Sequence, residues 1–228
     1  MKVSVIIPSF NEGLTLFEVV KKVLSVRLSD YSKEIIIVDD GSTDRTSKLF
    51  KKFNSNKKIK LIINRKNLGK GASILKALKI AKGNIIIVQD ADLEYDPADI
   101  PKLLKPFQDK KVKVVYGSRV LGHNPVSHWT FNLGGRLITS ITNLVYGTKI
   151  TDEPTGYKVF RGNVLKNLNL KSKGFEFCPE VTAKIAKAGI KITEVPISYQ
   201  PRPVSQKKIK WHDGLFAIYC LIKYRFFD

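Results

Sequence analysis

Two cysteines in 228 residues, Cys178 and Cys220, exclude a disulfide framework and a thiolate zinc cluster. Their scarcity fits a reducing, cytosolic compartment. Long hydrophobic runs are missing too. The longest late run, Leu215 to Ile222, has eight residues, whereas a membrane-spanning helix needs roughly 20, so no segment is expected to cross a bilayer. The opening run Val3 to Pro8 turns polar at Ser9 and is too short for a signal peptide. Acids are scarce: 20 Asp plus Glu face 40 Lys plus Arg, for a formal charge of +20. That balance favours anionic partners, whether nucleic acid, anionic lipid headgroups or phosphorylated small molecules; a solvated Lys-rich surface is the plainer alternative. Apolar residues are plentiful at 43% of the chain, which excludes disorder and is ample for a core.

Strand and helix patterns alternate. Val3–Ile7, Glu34–Val38, Lys60–Ile63, Asn84–Val88 and Val112–Tyr116 are short runs rich in β-branched residues that read as buried strands. Residues 12–28, 43–53, Gly69–Lys82 and 97–108 read as helices, the third stopped by Gly83. Short connections through about residue 117 predict an α/β fold, a mostly parallel sheet flanked by helices. Beyond it, residues 129–147 read as a helix whose only charge is Arg136. A helix and the strand Ile190–Val195 follow within 174–195, then a basic loop at 199–210 and a closing helix at Trp211–Phe227. Ligands of such sheets bind beyond the carboxyl ends of the strands. A polar cluster follows each of the first five strands: PSFNE, DDGSTD, NLGKG, QDADLE and GSR.

The stretch NIIIVQDADLEYDP, Asn84 to Pro97, is the most demanding of these. Its apolar run leads directly into Asp90, Asp92 and Glu94, whose charges repel unless a cation joins them. Asp90 and Asp92 are two apart, so an extended backbone points both to one side. Hard oxygen donors at that spacing suit Mg²⁺ or Mn²⁺ together with phosphate oxygens. The plainer reading is a strand end with helix-capping acids, such as Asp96 before Pro97. Asp39 and Asp40 stand where nucleotide sites accept ribose or base hydrogen bonds, or else they form a turn with Gly41. NLGKG could bring backbone and Lys70 toward a nucleotide, although it is no P-loop, and no GxGxxG occurs. His123, His128 and His212 are scattered and build no nucleophilic triad.

Eight stretches occur in a set order: SVIIPSFNE, IIIVDDGSTDRT, NLGKGAS, QDADLEYDP, VVYGSR, TDEPTGYKVFR, FEFCPEVTAKIAKAG and EVPISYQPR. From about residue 2 to residue 214 the chain thereby resembles family 2 glycosyltransferases of the GT-A (Rossmann-like) fold. Within them it looks most like the dolichol- or polyprenyl-phosphate mannosyltransferase branch. The resemblance implies a GT-A domain over 1–210, with a nucleotide-binding half at 1–117 and an acceptor half at 118–210. An amphipathic interface helix at 211–228 closes it. By the same resemblance Pro8, Phe10, Glu12, Asp39, Asp40, Lys70, Asp90 and Ala91 hold the nucleotide. Asp90, Asp92 and Glu94 hold Mg²⁺ or Mn²⁺ with the donor diphosphate. Ser118, Arg119, Arg136, Ser140, Arg202 and Lys208 meet the acceptor phosphate. Asp152 lies where relatives with a hydroxyl acceptor place a catalytic base, so the implied catalytic set is Asp92, Arg119, Arg136 and Asp152.

The chemistry of the acceptor fits that set. A phosphate monoester, with a second pKa of about 6, is mostly dianionic and needs no general base. It does need cations beside a negatively charged donor, and Arg119 and Arg136 suit bidentate phosphate contacts. The expected activity is an inverting, metal-dependent transfer of one sugar to a polyprenyl or dolichyl phosphate at the cytosolic membrane face. GDP-mannose leads as donor, followed by UDP-glucose or UDP-N-acetylglucosamine. The QxxRW motif of processive synthases is absent, which argues for single-sugar transfer. An anionic membrane surface is an expected partner, with room for a membrane-anchored subunit, and nucleic acid is not expected. Two rival readings are a basic nucleic-acid-binding module and a non-catalytic interaction protein on a degenerate transferase fold.

Overall fold

In the computed structural model residues 1–228 are described apart from His123, Val126, Ser127, Lys210, Asp228 and the side chain of Val204. His123 of the three histidines above therefore lies outside the described residues. The first half gives β1 (Lys2–Ser9), α1 (Leu16–Ser25), β2 (Ser32–Asp39), α2 (Thr46–Phe53), β3 (Ile59–Ile63), α3 (Lys70–Ile80) and β4 (Ile85–Val88). A short α4 (Ile100–Leu104), flanked by 3-10 turns, leads to β5 (Val114–Ser118). The less regular half supplies α5 (Trp129–Tyr146), β6 (Lys158–Arg161), α6 (Gly162–Asn167), α7 (Phe177–Lys187), β7 (Ile192–Pro196) and α8 (Trp211–Phe226). One sheet holds the seven strands in the order β3-β2-β1-β4-β6-β5-β7. All run parallel except β6, which is antiparallel to β4 and β5.

The inner strands β1, β2, β4 and β5 carry buried apolar runs because both faces of the sheet are covered there. Alternate side chains then enter two separate cores. Val3, Val5, Ile7, Ile35, Ile37, Ile85 and Ile87 pack against α1, α2 and α4 on one face. Ile6, Ile36, Val38, Ile86 and Val88 pack against α3, α6 and α7 on the other. Gly69 shows how tightly the second face is closed. Its φ of +97° suits glycine, and a Cβ there would stand 2.4 Å from the Lys173 carbonyl oxygen. The first amides of α3, Gly71 and Ala72, donate to the carbonyls of Gly174 and Lys173.

Two local expectations change. The helix foreseen at 97–108 breaks into 3-10, α and 3-10 pieces, since Pro101 and Pro106 lack the amide a continuing helix would use. Strand β6 was not foreseen: KVFR has four residues, two of them charged, and no apolar alternation. It is a strand because β4 and β5 leave a gap that it fills. Lys158 is consequently buried in mid-sheet, donating to the Glu153 carbonyl at 2.5 Å and lying 3.8 Å from the Tyr116 ring centroid.

Helix α8 docks through Cys220 and Tyr224 onto Ala183 of α7, beside Tyr146 of α5, whose hydroxyl donates to the Leu221 carbonyl at 2.6 Å. Leu221 is buried with them, whereas Trp211, Leu215, Phe216, Tyr219 and Phe226 of α8, and Phe227 just after it, are exposed. Trp129, Leu133, Leu137 and Leu144 of α5 are exposed likewise. No helix among the described residues is long and apolar enough to cross a membrane.

At the amino end of the sheet, buried Glu34 accepts from Ser4 Oγ and from the Lys82 amide, both at 2.6 Å, and pairs with Lys2 and Lys60. Burial alone would raise its carboxyl, but these partners bring it down to about 2. A depressed value stabilises the fold above the unfolded value of 4.5 and is lost on acidification toward 2. Glu34→Gln should therefore cost about 1.5–3 kcal/mol at pH 7. In urea denaturation at pH 7 and pH 3, the gap from the parent should be smaller at pH 3; an equal gap at both would refute the account.

Candidate active site

Strands β1 and β4 are neighbours whose further partners lie in opposite directions, β2 and β3 on one side, β6, β5 and β7 on the other. The crevice at their carboxyl ends is the topological switch point, where α/β sheets bind ligands. Two left-handed residues shape its walls: Asn11, at φ 50°, after β1, and Leu93, at φ 63°, after β4. Glu12 follows the first, and Asp90 and Asp92 precede the second.

Each acid here meets a cation from a distant part of the chain. Lys70 Nζ lies 2.5 Å from Asp90 Oδ1. Arg202 puts Nη2 2.7 Å from Asp92 Oδ2 and Nη1 3.1 Å from Glu12 Oε1. Lys208 reaches Glu12 at 2.7 Å, and Lys207 reaches Glu94 at 3.4 Å. Burial alone would lower the Lys70 amine, yet Asp90 holds it above its usual range. Asp92 behaves differently: burial and then Asp90 push its carboxyl up to about 7, against the pull of Arg202. The basic segment after β7 is thus no open loop. It lies across the crevice, with the Gln200 and Arg202 amides on Glu94 as well.

A second cluster stands beyond β5. The Arg119 amide and Nε donate to Asp152 Oδ2 at 2.9 and 2.8 Å, and Nη2 donates to Oδ1 at 2.7 Å. Burial alone would raise Asp152, but Arg119 holds its carboxyl below the ordinary range. Next to this pair a cavity of about 260 Å³ is lined by Val120, Arg136, Thr139, Ser140, Asn143, Ile150 and Thr151. Arg136 is exposed there and has no ion-pair partner among the described residues.

The residues singled out from the sequence are mostly brought to this rim, but not all in the roles expected. Pro8 and Phe10 are half-buried at the end of β1, where Lys208 donates to the Phe10 carbonyl and lies 5.8 Å from its ring centroid. Asp39 accepts from the Ser42 amide at 3.0 Å. Asp40 is engaged by its own surroundings: its oxygens take Asn64 Nδ2 at 2.7 Å and the Leu68 and Gly69 amides at 3.0 and 2.7 Å, so it anchors that turn. Ala91 packs in the core. Ser118 is buried, its hydroxyl 2.7 Å from Thr151 Oγ1 and accepting the Leu121 amide, so it serves the turn at 151 and not an acceptor. Arg202 and Lys208 sit on the acids in place of the cavity that holds Arg136 and Ser140. Asp90, Asp92 and Glu94 do not converge as a three-carboxylate metal cluster. Glu194, Thr139 and Asn143 went unnoticed in the sequence, where nothing sets them apart from strand or helix residues.

The fold defines an α/β protein whose acid-lined crevice stands at the switch point, where such sheets bind ligands. Residues 4–168 match the family described as Glycosyl transferase family 2, and the chain belongs to that family. It is a glycosyltransferase. It is 30% identical to the dolichol-phosphate mannosyltransferase of Pyrococcus furiosus, over 98% of this chain and 64% of that protein. With a low-salt glycan biosynthesis hexosyltransferase of Haloferax volcanii it shares 27% identity over 92% of this chain and 51% of the relative. The chain thus spans about half to two thirds of the length of these two relatives. A solved glucosyl-3-phosphoglycerate synthase from Mycobacterium tuberculosis, in complex with Mn²⁺, UDP-glucose and phosphoglyceric acid, has a TM-score of 0.76 at 17% identity. That match covers 98% of this chain and 79% of the other, and it is a likeness of fold, the GT-A fold expected from the sequence.

Proposed function

We propose that this glycosyltransferase moves one sugar, with inversion, from a nucleoside diphosphate-sugar to the phosphate of a polyprenyl or dolichyl lipid at the cytosolic face of a membrane. GDP-mannose is the foremost donor, in keeping with the name of the Pyrococcus furiosus relative. The observation that carries the reading is Arg136: an exposed guanidinium in a cavity otherwise lined by hydroxyl, amide and apolar side chains. It sits on a helix whose outer residues are Trp129, Leu133, Leu137 and Leu144. A phosphate head on an apolar tail matches that pairing. Asp152 supports it from the other side. Both its oxygens are committed to Arg119 and its carboxyl is held low, which makes it a poor base for a sugar hydroxyl. A phosphate dianion has no such need.

The donor set of the crevice fits a hard divalent cation, because Mg²⁺ and Mn²⁺ are bound by one or two carboxylates plus phosphate oxygens. Asp90 and Asp92 would hold it. Glu94 stands beside them, its Oε1 accepting the Arg202 amide and pairing with Lys207. When bound, the ion supplies positive charge to the departing nucleoside diphosphate. Lys70, beside Asp90, adds charge to the same diphosphate, while Arg119 and Arg136 orient the attacking phosphate. Asp92→Ala should fold normally but lose the Mn²⁺-dependent rise in melting temperature that a nucleoside diphosphate gives. A mutant that keeps this rise rules out the metal assignment.

Arg136→Ala should leave nucleotide-sugar binding nearly intact and cut transfer to lipid phosphate roughly ten- to a hundred-fold, the loss of one charge-assisted contact. Arg136→Lys should recover only part of it, because a point charge lacks the guanidinium fork. Normal transfer by Arg136→Ala in a radiolabelled-sugar assay would overturn the acceptor assignment. For the membrane, the exposed aromatics of α8 with the chain's charge of +20 point to reversible binding at an anionic surface. Flotation with anionic vesicles should weaken with salt and fall in a Trp211→Ser, Phe216→Ser, Phe227→Ser triple mutant; unchanged flotation in that mutant refutes it.

A further inference from the structure

The turn at Ile150–Glu153, which carries Asp152, is held in an unusual way. Four consecutive backbone amides each end on a side chain. Ile150 N donates to Asn143 Oδ1 at 3.0 Å, and Glu153 N donates to Thr139 Oγ1 at 3.0 Å. Between them Thr151 N donates to Glu194 Oε2 at 2.8 Å and Asp152 N donates to Glu194 Oε1 at 3.1 Å. Backbone amides in a partly buried place need acceptors, and one carboxylate satisfies two in succession. Glu194 is placed for this by register: on β7 it stands opposite Tyr116 of β5, two residues before Ser118, whose hydroxyl meets Thr151 Oγ1.

The orientation passes on. With its amide fixed, Asp152 presents both oxygens to Arg119, and the fork fixes the guanidinium. Arg119 Nη1 is left without a hydrogen-bond partner among the described residues, while the cation lies 5.2 Å from the Tyr199 ring centroid. We propose that Glu194 is a positioning residue for the acceptor side: it sets Asp152, and through Asp152 it aims Arg119 Nη1 at the acceptor phosphate. The aim at phosphate rests on the function proposed above; the chain Glu194–Asp152–Arg119 does not. The chemistry demands a carboxylate in particular. A glutamine of the same shape offers one acceptor and turns an N–H₂ group toward the second backbone N–H, so one of the two amides loses its partner.

Glu194→Gln is therefore the sharp probe and Glu194→Asp the control that keeps both acceptors on a shorter arm. The first readout needs no substrate. In ¹⁵N-labelled protein the Arg119 Nε–H resonance is identified by its absence in Arg119→Lys. In Glu194→Gln its exchange with water should be at least about tenfold faster, the scale of one lost charge-assisted contact. Backbone amides of β1, β2 and β4 should be unchanged, and Glu194→Asp should fall between. The second readout is kinetic: KM for the lipid phosphate should rise about tenfold, with the donor KM within about twofold of the parent. In an Asp152→Ala background Glu194→Gln should add nothing further. An Arg119 Nε–H signal that is unmoved in Glu194→Gln, or equal losses with and without Asp152, overturns the proposal and leaves Glu194 a structural clip. If the parent transfers no sugar to lipid phosphate, the proposed function fails, and the Arg119 resonance still decides the role of Glu194.

Discussion

Carboxylates at the ends of two adjacent strands are the constraint on which the rest of this structure depends. Glu12, Asp90 and Asp92 face one crevice, and like charges in a partly buried place repel. They stand together because Arg202 bridges Asp92 and Glu12 while Lys70 and Lys208 cover the remainder. Arg202 and Glu12 are separated by 190 positions in the chain, so this charge balance closes the fold as well as the site. The cost of separating the acids from their cations falls on the segment after β7, which is drawn over the crevice.

The two sides of the rim solve their electrostatics differently. In the crevice the acids are shared among lysines and one arginine, and Asp92 is pushed up to about 7. Beyond β5, Asp152 and Arg119 form a closed fork, with the carboxyl held low by the guanidinium and by the Arg119 amide. Three hydrogen bonds within the pair and one from the Asp152 amide to Glu194 fix its geometry. The function proposed above, with a charged donor and a charged acceptor, would use both arrangements. In that reading the first would give way to a ligand and the second would aim at one.

Much of the architecture was legible because it rests on local pattern. Val3–Ile7, Glu34–Val38 and Asn84–Val88 are buried strands by composition alone, and the order of polar clusters after them placed the rim. Asp90, Asp92, Glu12 and Lys70 were legible for the same reason: they follow strand ends. Asp40 and Ser118 also follow strand ends, yet they bond to their own turns, a choice set by the positions of Leu68, Gly69 and Thr151. Strand β6 was hidden because a central strand flanked on both sides can carry Lys158 if the carbonyl of Glu153 and the Tyr116 ring receive it.

The sequence by itself determined the α/β alternation, the carboxyl-end location of the site and the family, since these follow from periodicity and from motifs in order. Only the tertiary structure decided which acid meets which cation, that Asp152 serves Arg119 and that Glu194 serves Asp152. The physical reason is range. Apolar burial is non-directional and proportional to area, so a one-dimensional pattern reports it. A hydrogen bond or ion pair is decided within a few tenths of an ångström between residues far apart in the chain. Those distances exist only once the sheet has brought β7 beside β5 and the segment after it across β1 and β4.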